Sequence, residues 1–314
     1  MPNDFPSVVW DDRLTASARA LVRLAKEEDL SSGVDLTTAA TVDSDRRGVA
    51  TLVAREAGVI AGLAIGPLVL EEFGADAAWA PVVDDGAVVQ PGSPIAEMRG
   101  RAADLLTCER TVLNFVGRLS GIATLTGEFV RRVAGTGAAV YDTRKTAPGW
   151  RLLEKHAVRC GGGCNHRLGL SEAVLIKDNH LALSDEAGLT AADAVRRARR
   201  YVASLGEEEG ARDVVVQVEV DTLEQLASVL PASPDIVLLD NMSPETLRRA
   251  VAIRDSGGHS EGEASVVLEA SGGVNLDTIV SIAQAGVDRV SIGALTHSAP
   301  NFDIGLDWGP FHEG

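Results

Sequence analysis

The stretch VVVQVEVDTLEQLASVLPASPDIVLLD, residues 214–240, decides how the second half of this chain folds. Two short runs rich in β-branched residues, Val214–Val220 and Ile236–Asp240, flank a segment of helical length, which is the sequence form of a strand–helix–strand unit. Both runs are apolar nearly throughout, as strands covered on both faces are. The alternation recurs on either side: Ala138–Asp142 and Ala173–Lys177 come before, Val266–Ala270 and Arg289–Gly293 after. Runs of this kind joined by helix-length segments predict right-handed crossovers and a parallel sheet.

The placement of polar residues separates a barrel from an open sheet. Asp142, Lys177, Glu219, Asp240 and Ser271 fall at or near the C-terminal ends of successive runs, where barrel enzymes gather functional groups from several strands at once. Only six clear runs are present, so the predicted class is α/β, with an incomplete or distorted parallel α/β barrel.

Toward the N-terminus a long helical pattern runs from Ala103 to Val133, with Leu105, Val112, Val116 and Leu119 on its apolar stripe. Gly117, Gly121 and Gly127 interrupt it and predict either two helices or one closely packed helix. From Thr51 to Met98, short apolar runs alternate with the turn signals Asp85-Gly86 and Pro91-Gly92, the pattern of small strands around a helix. An earlier helix is expected after Asp11 and Asp12, with Leu14, Ala18, Leu21, Val22 and Ala25 on one face. The expected organisation is an additional N-terminal α+β domain over 1–115, the barrel over 116–298, and a C-terminal tail, 299–314, placed to return to the N-terminal domain.

The 314 residues are 45% hydrophobic and 24% charged, the composition of a folded globular chain rather than a disordered one. A net charge of −16 argues against a general nucleic-acid binder, which needs clustered Lys and Arg. Basic residues nevertheless concentrate between Arg144 and Lys177, a local positive funnel for anionic ligands. Cys108, Cys160 and Cys164 are too few for a disulfide framework. No basic-then-apolar leader and no membrane-length apolar run appear, so a cytoplasmic protein with no membrane role is expected.

Several segments carry chemistry. Asp142-Thr143-Arg144-Lys145-Thr146 puts two cations directly after a strand; Arg binds carboxylate or phosphate bidentately and Lys adds a compact charge. A solvated loop with surface ion pairs is the alternative for this segment. Gly161-Gly162-Gly163-Cys164-Asn165-His166-Arg167 adds a flexible turn that ends in two further anion ligands. Lys177 ends a strand and is either a partly desolvated cation facing ligand or a strand-end lysine in water. Glu219 and Asp240 offer carboxylates for Mg²⁺, with ion pairing to a nearby Arg or Lys as the alternative. Glycines follow two late strands, in Ser271-Gly272-Gly273 and Ile292-Gly293-Ala294, where exposed backbone N–H groups recurrently cradle phosphate. His297 is close enough in sequence to approach the same mouth. His156, Cys160, Cys164 and His166 are competent zinc ligands, but they lack paired Cys-x-x-Cys spacing, so core or loop cysteines are favoured over structural zinc.

At the level of whole motifs the chain resembles the quinolinate phosphoribosyltransferase family. The likeness is carried by Asp142 to Thr146, Gly161 to Arg167, Ile176-Lys177-Asp178-Asn179-His180, Leu239-Asp240-Asn241 and Glu269 to Gly273, with Glu28-Asp29-Leu30 and Asp35 to Thr38 near the start. The resemblance implies transfer of phosphoribosyl from phosphoribosyl pyrophosphate to quinolinate with decarboxylation and Mg²⁺ present, giving nicotinate mononucleotide, pyrophosphate and carbon dioxide. It implies that Arg144, His166, Arg167 and Lys177 line the substrate pocket, and that Glu219 and Asp240 lie near ribose and metal. Ser271 to Gly273 and Ile292 to Ala294 match its phosphate loops. Arg110 matches an arginine delivered into the partner's pocket, which implies a homodimer, with higher assembly left open. A paralogue acting on another acidic ring and a noncatalytic anion-binding protein are the competing expectations.

Overall fold

The computed structural model describes residues 4–31, 33–183, 189–205, 214–257 and 265–309. The acidic stretch Glu207-Glu208-Glu209-Gly210, expected to be a solvated loop, lies outside them. In chain order the strands are β1 (Arg47–Ala54), β2 (Gly58–Val59), β3 (Ala77–Pro81), β4 (Val88–Val89), β5 (Pro94–Arg101), β6 (Ala139–Tyr141), β7 (Ala173–Ile176), β8 (Val215–Val220), β9 (Ile236–Asp240), β10 (Val267–Ser271), β11 (Arg289–Ser291) and β12 (Ile304–Trp308). The helices that matter below are α1 (Asp12–Leu30), α2 (Ala102–Val133) and α3 (Arg151–Cys160). The chain forms two compact units, one of Met1–Ser7, Glu128–Arg144 and Cys164–Ala294, the other of Val8–Gly127, Lys145–Gly163 and Leu295–Gly314.

In the second unit, α1 starts where the Asp11 side chain accepts the Leu14 N–H at 2.8 Å and buries Leu14, Ala18 and Val22, a standard N-cap over an apolar stripe. An antiparallel sheet runs in the order β12-β1-β5-β3, so the chain's last strand pairs with its first. The long glycine-interrupted pattern is one continuous helix, α2, rather than two. Its glycines serve close packing: a Cβ on Gly121 would sit 1.9 Å from the Pro300 carbonyl oxygen.

In the first unit, β6 to β11 form one parallel sheet in the order β6-β11-β10-β9-β8-β7. A closed ring would also pair β6 with β7. Among the described residues that pair is absent, and Tyr141 of β6 instead makes a parallel bridge to Cys164. The barrel is therefore incomplete, as the six runs predict. At the other ends of the strands, Phe5 clusters with Ala173, Val215, Ile236 and Val267, the first residues of β7 to β10. A residue from the extreme N-terminus thus closes the floor of this unit.

Candidate active site

The parallel register sets the site. Ile176 is level with Val218 and Ser271 with Asp240, so Lys177, Glu219, Asp240 and Ser271 follow one another along the C-terminal rim of β7 to β10. Lys177 Nζ donates to Glu219 Oε2, with the lysine side chain 43% exposed and the glutamate 13%. The cation that sequence left between ligand duty and water is thus a rim group, tied to a less exposed carboxylate. Asp240 accepts from the side chain of Asn241, whose own N–H donates to the Ser271 carbonyl at 2.8 Å.

The glycine pair after β10 is required by geometry. Gly272 has φ +90° and Gly273 φ +63°, and a Cβ on Gly272 would meet Asn241 Oδ1 at 2.1 Å. Only glycine satisfies both the left-handed backbone and the missing space, and successive N–H groups in such a turn form an anion-binding concavity. Ile292 N–H donates to the Tyr141 carbonyl, which fixes the β11 end against β6 and starts Gly293 and Ala294 at the same rim.

Asp142 does something sequence did not assign to it. It is fully buried; Oδ2 accepts from Asn165 Nδ2 at 2.7 Å and Oδ1 from the His166 N–H at 2.8 Å. The strand-end carboxylate is therefore a clamp for the turn that carries His166 and Arg167. The His166 ring is buried, stacked on Phe5 with centroids 4.5 Å apart, and its Nδ1 accepts the Arg167 N–H. That bond assigns the proton to Nε2, which lies 3.5 Å from Glu269 Oε1. Glu269 is wholly buried. Burial raises its pKa, but its approach to His166, then to Ser291 and Arg289, outweighs that and holds it below the ordinary carboxylate range. Arg289, also fully buried, lies over the Tyr141 ring at 4.7 Å and the Phe5 ring at 5.9 Å.

Two guanidinium groups complete this unit's charge. Arg167 is buried and donates to the Ala173 carbonyl at 2.8 Å; its pKa is lowered by burial first and the nearby Arg144 cation second, against the opposing pull of Glu172. Arg144 Nε is buried with no hydrogen-bond partner. Buried donors seldom stay unmatched, and two neighbouring cations favour a bound anion. Both line a cleft of about 1080 Å³ together with Lys177 and His180.

Of the residues singled out in sequence, Thr143, Arg144, His166, Arg167, Lys177, Glu219, Asp240, Ser271, Gly272, Gly273, Ile292, Gly293 and Ala294 belong to the barrel unit. Lys145, His297 and Arg110 belong to the other. There the Lys145 carbonyl accepts from Thr296 Oγ1 at 2.7 Å, and Arg110 is exposed on α2. Glu269, Arg289 and Phe5 were missed as site residues. The one legible signal was a charged residue interrupting the apolar run Val267-Leu268-Glu269-Ala270.

Comparison with known proteins gives a consistent result. The quinolinate phosphoribosyl transferase N-terminal domain matches residues 35–120 and the C-terminal domain of the same family matches residues 122–307. The chain is 45% identical over 293 residues to a carboxylating nicotinate-nucleotide pyrophosphorylase of Mycobacterium leprae, covering 93% of this chain and 97% of that one. A probable enzyme of the same name from Bacillus subtilis is 38% identical over 283 residues, 89% of each chain. Among solved structures, the nicotinate-nucleotide pyrophosphorylase of Francisella tularensis superposes with a TM-score of 0.82 at 34% identity, over 98% of this chain and 99% of its own.

Proposed function

The chain belongs to the quinolinate phosphoribosyltransferase family, and from that premise we propose how its residues divide the work. It is a pentosyltransferase that joins phosphoribosyl to quinolinate with loss of carbon dioxide, giving nicotinate mononucleotide for NAD synthesis. The observation that carries the assignment of roles is the ordered rim of Lys177, Glu219, Asp240, Ser271, Gly272 and Gly273 beside two crowded arginines. It presents cations for carboxylates and a backbone concavity for phosphate in one unit.

Arg144 and Arg167 hold the pyridine carboxylates, with Thr143 alongside; Lys145, next in the chain to Arg144, is a further cation for the anionic substrates. His166 has both nitrogens engaged inside the protein, which supports a role in fixing Arg167 and the pocket floor. Gly272-Gly273 and Ile292 to Ala294 receive phosphate oxygens through backbone N–H groups, and His297 follows the second of these loops. The pyridine nitrogen attacks the anomeric carbon as pyrophosphate leaves; positive charge develops on the sugar, and prearranged carboxylate and ammonium groups stabilise that separation. No protein nucleophile is needed. After transfer carbon dioxide leaves its electron pair on ring carbon C2, where the adjacent pyridinium nitrogen stabilises it as an ylide until C2 takes a proton from solvent.

Glu219 and Asp240 suit Mg²⁺ by donor chemistry: they are carboxylates on neighbouring strands, the penultimate residue of β8 and the last of β9, and two protein oxygens are enough for an ion that keeps waters and substrate phosphates. Mg²⁺ held there would supply charge neutralisation for the leaving pyrophosphate. Glu219 then exchanges or shares its contact with Lys177.

The functional unit is a homodimer in which Arg110 of the partner subunit enters the pocket. The exposed Leu170, Leu183 and Tyr201 along the cleft at the open β7 edge support a covering chain there. A cytoplasmic setting fits the few, unpaired cysteines. No helix among the described residues is long and apolar enough to cross a membrane.

Pyrophosphate release tests this reading. The purified protein with phosphoribosyl pyrophosphate and Mg²⁺ is expected to turn over quinolinate and not nicotinate, and to stop when the divalent ion is chelated. Equal turnover of nicotinate would remove the dicarboxylate assignment, and full activity in chelator would remove the metal role of Glu219 and Asp240.

A further inference from the structure

We propose that Asp85, His156 and Cys160 form a binding site for a thiophilic divalent cation of the zinc type, built within the unit that carries the antiparallel sheet. His156 and Cys160 are four residues apart on α3 and therefore share a face. Asp85, 71 residues earlier, comes to the same face from the turn that ends at Gly86. His156 Nε2 lies 2.8 Å from Asp85 Oδ2 and 3.4 Å from Cys160 Sγ, and the three donor atoms all fall within 4.8 Å of one another.

Those separations are close to what a tetrahedral ion requires. Zn–N, Zn–O and Zn–S bonds of roughly 2.0, 2.1 and 2.3 Å put N and O about 3.3 Å apart and N and S about 3.5 Å apart. The N–S separation already matches, the N–O separation is about half an ångström short, and the O–S separation, about 3.6 Å at a tetrahedral ion, lies within 4.8 Å here. The donors are also held. Asp85 accepts the Gly62 and Leu63 N–H groups at 3.1 and 3.0 Å, and the edge of Trp10 packs against the buried His156 ring at 5.1 Å. Asp85 and Cys160 are both partly exposed, which leaves a path for the ion and room for water as a fourth ligand.

The arrangement does not suit a nucleophilic triad. There the carboxylate holds the imidazole nitrogen remote from the nucleophile, whereas here Asp85 and Cys160 address the same nitrogen. Burial first, then the Asp85 charge, pushes the Cys160 thiol up to about 12, so without metal it is a neutral, unreactive thiol. Binding exchanges the thiol proton for the metal: the S–H bond breaks, the S–M bond forms and one H⁺ leaves to solvent. His156 moves its proton from Nε2 to Nδ1. Nδ1 is buried without a partner in either tautomer, so the exchange creates no additional unmatched group.

Sulfur and imidazole select zinc-type ions over Mg²⁺, whose preference is oxygen. The site thus differs in ligand chemistry from the Glu219 and Asp240 pair. It also differs from the zinc set considered in sequence, because Cys164 and His166 belong to the barrel unit and Asp85 takes part instead.

Cobalt(II) is the probe, added to full-length protein stripped of metal and desalted. One equivalent per chain is expected to produce a sulfur-to-cobalt charge-transfer band. Cys160→Ser should abolish the band and weaken cobalt binding at least tenfold, while Cys108→Ser and Cys164→Ser keep both. No band in the native protein, or a band that survives Cys160→Ser, overturns the site. If the serine variant does not fold, Asp85→Asn decides: affinity at least tenfold weaker supports the site, and unchanged affinity overturns it.

Discussion

Lys177→Ala is expected to fold normally and to lose on the order of 10²–10³-fold in kcat, the scale on which a prearranged group aimed at developing charge is felt. The side chain is 43% exposed, so its removal leaves no cavity and little stability is at stake. What is lost is an ammonium group at the rim, together with the partner that keeps Glu219 in place. Because the charge matters most as pyrophosphate departs, kcat should fall more than KM rises. Steady-state kinetics beside circular dichroism make the check. A folded variant with kcat within about threefold of the native protein would take Lys177 out of the chemistry.

Arg110→Ala should chiefly impair quinolinate binding, by about 2–5 kcal/mol in kcat/KM if the guanidinium is buried against a carboxylate in the dimer. In the single chain Arg110 is exposed on α2, where substitutions usually cost folding little. Complementation tests the sharing of sites. Mixing Arg110→Ala with Lys145→Ala gives hybrids in which one site carries both lesions and the other neither. Random pairing of equal amounts returns roughly a quarter of native activity by two-fold symmetry. Hybrids shown to form without any recovery would exclude delivery of Arg110 from the partner.

The barrel was legible because its strands are buried on both faces. Runs such as Ile236–Asp240 carry almost no polar residue until their ends, and observed and expected strand bounds agree closely. The rim residues were legible for the same reason: Lys177, Glu219 and Asp240 stand out where apolar runs stop. What sequence hid were contacts between distant segments. Phe5 stacks on His166, and nothing local in residues 4–7 marks them as a barrel floor. Asp142 looked like another rim group because its position matches theirs, yet its carboxylate turns inward to Asn165 and the His166 N–H. The glycines of α2 read in sequence as either a break or a packing surface, and the Pro300 carbonyl against Gly121 makes that glycine a packing surface. Asp85 is invisible as a partner for His156 at a distance of 71 residues.

This chain couples phosphoribosyl transfer to loss of a carboxylate. Supplying quinolinate labelled in the carboxyl group that is lost, with phosphoribosyl pyrophosphate and Mg²⁺, measures it directly. Labelled carbon dioxide, pyrophosphate and nicotinate mononucleotide are expected in equal amounts, all dependent on the protein. Pyrophosphate released without carbon dioxide, or no nucleotide formed from quinolinate by the folded protein, would contradict it.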